Sequence, residues 1–121
     1  MPARRVLVID DSDLIREVAK LALGRAGWET LTAEDGESGL AIARSEQLDA
    51  ILLDVVMEGL DGPETLARLQ ADEATRDIPV LFLTAKAEDG LPAEGAQGVL
   101  AKPFDVGGLA GAVAAALGWE P

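Results

Sequence analysis

Residues 49–57 (DAILLDVVM) constrain the fold of this chain more than any other stretch, because a continuous apolar run meets a carboxylate, Asp54, within them. Short runs of Ile, Leu and Val bounded by polar residues are typical of strands buried on both faces, as in a parallel sheet covered by helices. In such sheets, ligands bind beyond the carboxyl ends of the strands. Taken alone, Asp54 is explained equally well as a residue that ends a strand and starts a turn.

Four further segments have the character of strands, and they alternate with segments of helical character. These predicted strands are residues 6–9, 28–33, 78–83 and 99–101. The second has mixed polarity and is expected towards a sheet edge. Five strands alternating with helices predict an α/β fold, a doubly wound five-stranded parallel sheet with helices on both faces. A length of 121 residues predicts one domain, residues 1–121.

Residues 86–96 depart from this alternation, since Gly90, Pro92 and Gly95 occur where a helix is due. Proline removes a helical hydrogen-bond donor, and glycine marks turns and loops. We therefore expect the fourth helix to be shortened or replaced by a loop.

Polar residues that can cap helices mark three other helix starts. Ser12 or Asp13 can cap the helix after the first strand, and Asp61 with Glu64 has the spacing of a capping box. Asp105 is the expected cap of the last helix, which three glycines weaken and Gly118 can terminate.

The charge of the chain is strongly acidic, with 22 Asp and Glu against 10 Lys and Arg and a formal net charge of −12. This balance argues against direct binding to nucleic acid, which needs clustered positive charge. It suits cationic partners or metal ions.

Cysteine and histidine are both absent, which excludes disulfides, thiol chemistry, the commonest general base and the usual zinc or copper ligand. The longest uncharged stretch, residues 106–119, is too short to span a membrane, so we expect no membrane insertion. The amino terminus lacks a signal-peptide pattern, and a cytoplasmic protein is expected.

Polar residues follow four of the predicted strands: Asp10 with Asp11, then Asp54, Thr84 and Lys102. The carboxyl ends of parallel strands lie at one edge of the sheet, so these side chains can converge. A group of carboxylates without histidine is a suitable ligand set for Mg²⁺. Lys and Thr side chains can bind phosphoryl oxygens. A carboxylate beside the metal can act as a nucleophile and become an acyl phosphate. Each residue singly has an ordinary structural explanation, such as a surface ion pair for Lys102, but the combination favours phosphoryl chemistry.

With these residues in place, the chain resembles the response-regulator receiver domains (CheY-like) of two-component signalling. The resemblance covers almost the whole chain in family order, and its motifs are VLVIDDS (residues 6–12), LLDVVM (52–57), Asp61-Gly62, Leu83-Thr84-Ala85 and Lys102-Pro103-Phe104. It implies a flavodoxin-like sheet of strand order 2-1-3-4-5.

The resemblance also assigns roles in metal binding and in phosphoryl acceptance. Asp54 would be the phosphoacceptor. Asp11 and Asp54 would bind Mg²⁺ directly, together with the backbone carbonyl of Val56, while Asp10 would act mostly through water.

Two more residues, Thr84 and Lys102, would contact the phosphoryl group, and Ala85 would leave room for it. The Lys102–Pro103 bond is expected to be cis, an isomer almost confined to proline. The phosphoryl donor would be a sensor histidine kinase or a histidine phosphotransfer protein, and an effector protein of unknown identity would respond.

This chain departs from the family pattern in three places. Val99 occupies a position that is usually aromatic, so the usual coupling of Thr movement to an aromatic ring cannot operate in that form. Glu58 stands where proline is usual. Thr84 and Lys102 are 18 positions apart, whereas the family spacing is longer by about one helical turn, ~3.6 residues. The phosphoryl chemistry is therefore expected to be intact and the output mechanism altered.

Four functions compete on this sequence. The favoured one is a phosphorylation-controlled signalling module that is not a dedicated enzyme. A phosphate sink or shuttle needs the same chemistry without an output surface. A Mg²⁺-dependent phosphohydrolase is disfavoured because haloacid-dehalogenase-like enzymes place a second Asp where this chain has Val56. A pure interaction scaffold fits least well, because the set of site residues is complete.

Overall fold

The residues that the structure describes form a parallel five-stranded sheet between two pairs of helices. In the computed structural model, residues 3–84, 96–102 and 104–119 are described. The strands are β1 (Arg5–Ile9), β2 (Glu29–Ala33), β3 (Ala50–Asp54), β4 (Val80–Thr84) and β5 (Gly98–Ala101). The helices are α1 (Asp13–Arg25), α2 (Gly36–Ser45), α3 (Gly62–Ala71) and α4 (Leu109–Leu117). All strand pairs are parallel, and the order β2-β1-β3-β4-β5 is the predicted one.

Alternation of side chains along the strands builds two hydrophobic cores, one on each face of the sheet. On one face, Leu7, Ile51 and Phe82 pack with residues of α2 and α3. On the other face, Val8 and Leu81 pack with residues of α1 and α4. Every residue of β3 and β4 is buried, which explains why their sequences are continuous apolar runs. The strand β2 is an edge strand, as its mixed polarity predicts.

Two of the predicted helix caps are confirmed. The Ser12 hydroxyl accepts a hydrogen bond from the Ile15 backbone N–H at 3.2 Å, at the start of α1. At the start of α3, Asp61 accepts from the Glu64 N–H at 2.9 Å, and Glu64 accepts from the Asp61 N–H at 3.3 Å. Both caps fix the positions of helices that begin beside the carboxyl edge of the sheet.

The prediction that Asp105 caps the last helix is wrong. The residue before α4 is Gly108, whose position carries no side-chain cap, and Asp105 contributes only its backbone carbonyl to the Leu109 N–H at 3.3 Å. Two successive glycines, Gly107 and Gly108, lose more backbone entropy in a helix than other residues. The regular helix therefore begins four residues after Asp105, although it ends at Gly118 as predicted, in the left-handed conformation (φ 71°).

Several sequence predictions lie outside the described residues. They concern the shortened or missing fourth helix, predicted at residues 86–96 of which 86–95 are not described, the phosphoryl pocket at Ala85 and the cis bond to Pro103. The four helices of the described residues are consistent with a shortened fourth helix. Within the described part of the chain, no helix has both the length and the apolar character that crossing a membrane requires.

A third helix cap is formed by Asp35 at the start of α2, and its contribution to stability can be tested. Asp35 accepts from the Ser38 N–H and hydroxyl, both at 2.7 Å, and these bonds lower the pKa of its carboxyl. We expect Asp35→Ala to lower the free energy of unfolding by about 1 kcal/mol at neutral pH. Because the folded-state pKa is depressed, this contribution is present above the unfolded pKa and is lost as pH falls through the folded pKa.

Urea unfolding at pH 7 and at pH 3 measures this effect, with Glu34→Ala as the neighbouring exposed control. An equal loss of stability in both variants, or a loss at Asp35 that does not shrink at low pH, would contradict the assignment of Asp35 as a charged cap.

Candidate functional site

The predicted polar residues meet at the carboxyl edge of the sheet. Asp10 directly follows β1, Asp54 ends β3, Thr84 ends β4 and Lys102 directly follows β5. Because β1, β3, β4 and β5 are successive neighbours in a parallel sheet, these residues lie side by side. The alternation of strand and helix thus brings together residues that are distant along the chain.

Asp10 is fully buried, and its backbone N–H, its backbone carbonyl and its Oδ1 are all hydrogen-bonded. Its backbone N–H donates to the Ala33 carbonyl at 3.1 Å, and its Oδ1 accepts from the Ser12 N–H at 2.9 Å. Its backbone carbonyl accepts from Arg16 Nη1 at 2.6 Å. The loop after β1 is therefore held from three directions before any ligand binds.

Lys102 joins the two buried carboxylates. Its Nζ lies 2.7 Å from Asp10 Oδ2 and donates a hydrogen bond of 3.1 Å to Asp54 Oδ1. The Lys102 backbone N–H also donates to the Thr84 carbonyl at 2.8 Å, which fixes the start of the loop after β5. One ammonium thus contacts two carboxylates, with Asp11 as a third negative charge nearby, and the cluster keeps an excess of negative charge.

The environment perturbs the pKa of both paired groups. Burial raises the pKa of Asp54; the hydrogen bond from Lys102 lowers it, the negative charge of Asp10 raises it, and the net direction is upward. Burial lowers the pKa of Lys102, but hydrogen bonds to Asp10 and Asp54 outweigh it, and the net pKa is raised. The cationic form of Lys102 is therefore more favoured than in a free lysine, and the ionised form of Asp54 is less favoured than in a free aspartate.

The three carboxylates have the chemistry of a Mg²⁺ site. Asp10, Asp11 and Asp54 each offer an oxygen atom, and these oxygens lie within 4.8 Å of one another. Mg²⁺ prefers such hard oxygen ligands and keeps several waters, so few protein ligands suffice. The donor set therefore fits a divalent cation. Val56, a residue that is 77% exposed, follows Asp54 by two residues, and the role of its carbonyl as a ligand stays a prediction.

Gly62, the first residue of α3, lies directly behind the phosphoacceptor candidate. Its N–H donates to the Val55 carbonyl at 2.8 Å. A Cβ atom at this position would lie 2.6 Å from the Asp54 carbonyl oxygen and 2.8 Å from Val55 Cα. The close approach of α3 to the end of β3 therefore requires glycine, and it fixes the backbone that carries Asp54.

Three further residues near the site are Thr84 and Val99, which the sequence analysis singled out, and Arg16, which it did not. Thr84 is buried at the end of β4, the strand that pairs with β3, and its contact with a phosphoryl group stays a prediction. Val99 lies in β5, partly buried against the core on the α2 and α3 side. The contact of Arg16 with the Asp10 carbonyl was missed. The available signal was an Arg in the first turn of α1, immediately after the acidic loop.

Comparison with known proteins gives matches over nearly the entire chain. A family model described as the response regulator receiver domain matches residues 6–114. The phosphate regulon transcriptional regulatory protein PhoB of Pseudomonas aeruginosa is 39% identical over 108 residues, which cover 86% of this chain and 47% of PhoB. The chain thus spans about half the length of that relative.

Solved structures give the same picture. The chemotaxis protein CheY4 of Vibrio cholerae has a TM-score of 0.86 and 31% identity, over 95% of this chain and 99% of CheY4. The response regulator TrrA of Thermotoga maritima, in complex with Mg²⁺-BeF, has a TM-score of 0.81 and 31% identity, over 93% of this chain and 98% of TrrA.

Proposed function

Because this chain belongs to the response regulator receiver domain family, we propose that it is a phosphorylation-controlled signalling module whose phosphoacceptor is Asp54. The observation that carries this proposal is the contact between a buried Asp54 and Lys102 within a cluster of three carboxylates. A buried nucleophile, a fixed cation and a set of metal ligands are together what phosphoryl transfer to a carboxylate requires.

In the proposed reaction, an oxygen of Asp54 attacks the phosphorus atom of a phosphohistidine on a partner protein. A P–O bond forms, the P–N bond breaks, and the electron pair of that bond stays on the donor imidazole. Lys102 would offset the charge on the transferred phosphoryl group, and the Thr84 hydroxyl would donate to one of its oxygens. The proposed phosphoryl donor is a sensor histidine kinase or a histidine phosphotransfer protein, which the match to the receiver domain family supports.

Mg²⁺ would be held by Asp11 and Asp54, with the Val56 carbonyl and with Asp10 through water. When bound, the metal supplies positive charge that neutralises phosphoryl oxygens. Support comes from the oxygen donor set of this chain and from the TrrA relative, whose solved structure contains Mg²⁺-BeF. The phosphorylated state would then alter the surface that a partner effector protein binds.

A phosphate sink or shuttle is the second candidate, and Val99 favours it. A branched aliphatic side chain at this position of β5 has no aromatic ring to rotate when Thr84 moves towards a phosphoryl group. A long-lived phosphorylated state that binds an effector tightly would argue against the sink and for the signalling module.

Removal of metal tests the proposed chemistry. We expect intact mass spectrometry to detect a single phosphoryl adduct after incubation with acetyl phosphate and Mg²⁺. With excess EDTA the adduct should fall by at least about tenfold, because three carboxylates and a phosphoryl group otherwise repel one another. An adduct of equal yield in EDTA would contradict the Mg²⁺ dependence. No adduct under either condition, on folded protein, would leave the phosphoacceptor role of Asp54 without support from this donor.

A further inference from the structure

Arg16 lies beside the metal site without belonging to its ligand set. Its side chain is only 15% exposed, and Nη1 donates to the Asp10 backbone carbonyl at 2.6 Å. Its Nη2 pairs with Asp13, a residue of the same helical turn. We propose that Arg16 is a positioning residue, which holds the Asp10–Asp11 peptide so that the Asp11 carboxylate faces the cation. This inference rests on the proposed Mg²⁺ site.

The Asp11 carboxylate depends on its backbone for orientation. Asp11 is exposed, and among the described residues no hydrogen bond or ion pair holds its side chain. The peptide that precedes it begins at Asp10, whose N–H is fixed by Ala33 and whose carbonyl is fixed by Arg16. Loss of the Arg16 contact frees this carbonyl, and with it the peptide plane that carries the Asp11 amide.

A positioning role and a purely electrostatic role predict opposite results. A guanidinium beside the metal site repels a divalent cation, so removal of its charge alone would strengthen Mg²⁺ binding. If Arg16 instead orients a ligand, its removal weakens Mg²⁺ binding. Residues that orient metal ligands typically change metal affinity by about 10- to 100-fold when they are replaced.

The test is calorimetric titration of the full chain with Mg²⁺, without any phosphoryl donor. Arg16→Met keeps the aliphatic part of the side chain and removes the donor. We expect its Kd for Mg²⁺ to rise about tenfold, while Arg16→Lys recovers part of the loss. Lys20→Ala, an exposed cation one turn further along α1, is the control for charge and should not weaken binding.

A second readout measures the affinity for Mg²⁺ through the Mg²⁺ dependence of phosphoryl labelling. We expect half-maximal labelling of Arg16→Met by acetyl phosphate to need about tenfold more Mg²⁺ than labelling of the parent. Mg²⁺ binding by Arg16→Met as tight as, or tighter than, that of the parent would overturn the inference and leave the proposed function intact. Absence of Mg²⁺ binding by the parent would overturn both. Should Arg16→Met fail to fold by circular dichroism, Arg16→Gln replaces it under the same criteria.

Discussion

Asp54→Asn should abolish phosphoryl labelling, with a loss of at least about a thousandfold in rate, because the neutral amide replaces the attacking carboxylate. Asparagine has nearly the same shape and still fits the buried position at the end of β3. Intact mass spectrometry after incubation with acetyl phosphate and Mg²⁺ measures the effect directly. The parent should carry one adduct and the variant none.

A matched control excludes labelling elsewhere on this acidic chain. Asp77→Asn makes the same chemical change at an exposed position before β4, towards the amino-terminal end of that strand, and should label like the parent. An adduct of equal yield on Asp54→Asn would show that another residue accepts the phosphoryl group, and the assignment of Asp54 would then be wrong.

The same variant should be at least as stable as the parent at neutral pH without Mg²⁺. Burial raises the pKa of Asp54, so folding stability is lost as pH rises from the unfolded-state pKa through the folded-state pKa, and the full cost of the ionised carboxylate is present above the latter. This cost falls as pH drops through that pKa, so the difference in Tm between variant and parent should shrink in acid. Thermal unfolding at pH 7 and at pH 4 measures the difference. A less stable variant at pH 7 would mean that the contact with Lys102 outweighs the burial of charge.

Gly62→Ala should lower the free energy of unfolding by about 2–3 kcal/mol, the upper part of the usual range for overpacking. The new Cβ would lie 2.6 Å from the Asp54 carbonyl oxygen and 2.8 Å from Val55 Cα. Both atoms belong to the backbone and cannot rotate away as a flexible side chain could. The start of α3 must therefore move away from the end of β3, which also displaces Asp54.

Urea unfolding of Gly62→Ala beside Gly24→Ala isolates this effect. Gly24 is exposed in α1, and a Cβ there would meet nothing within 4 Å. Alanine at that position should therefore raise stability by about 0.5–1 kcal/mol through helix propensity alone. If Gly62→Ala were as stable as the parent or more stable, α3 would be able to move away from β3 without loss of stability. The close approach at Gly62 would then have no role in fixing Asp54.

Local sequence was sufficient for the elements and for much of the candidate site. Apolar runs bounded by polar residues predicted the buried strands, and the mixed polarity of residues 28–33 predicted an edge strand. Ser12 and Asp61 predicted helix starts, because a capping side chain bonds to a backbone N–H only a few residues away. Asp105 failed as a cap because local propensity at Gly107 and Gly108 opposes helix in the turn that follows.

The candidate site residues were also predicted from the sequence, because each follows an apolar run and such runs end at the same edge of a parallel sheet. That rule places Asp10, Asp54, Thr84 and Lys102 near one another, and it gives neither their distances nor their partners. It could not show that Lys102 contacts Asp10 and Asp54 together, because the three residues reach the site from three different strands.

The tertiary structure alone decided the contacts that set the geometry of the site. Arg16 bonds to a backbone carbonyl, and a carbonyl is present at every position, so no residue type marks its partner. Gly62 is required by a close approach to Val55 and Asp54, and a sequence does not reveal which glycine is surrounded by backbone. Periodicity and capping depend on neighbours within a few residues. The positions of the Asp11 and Asp54 carboxylates depend on how separate segments pack, and only the folded chain brings those segments together.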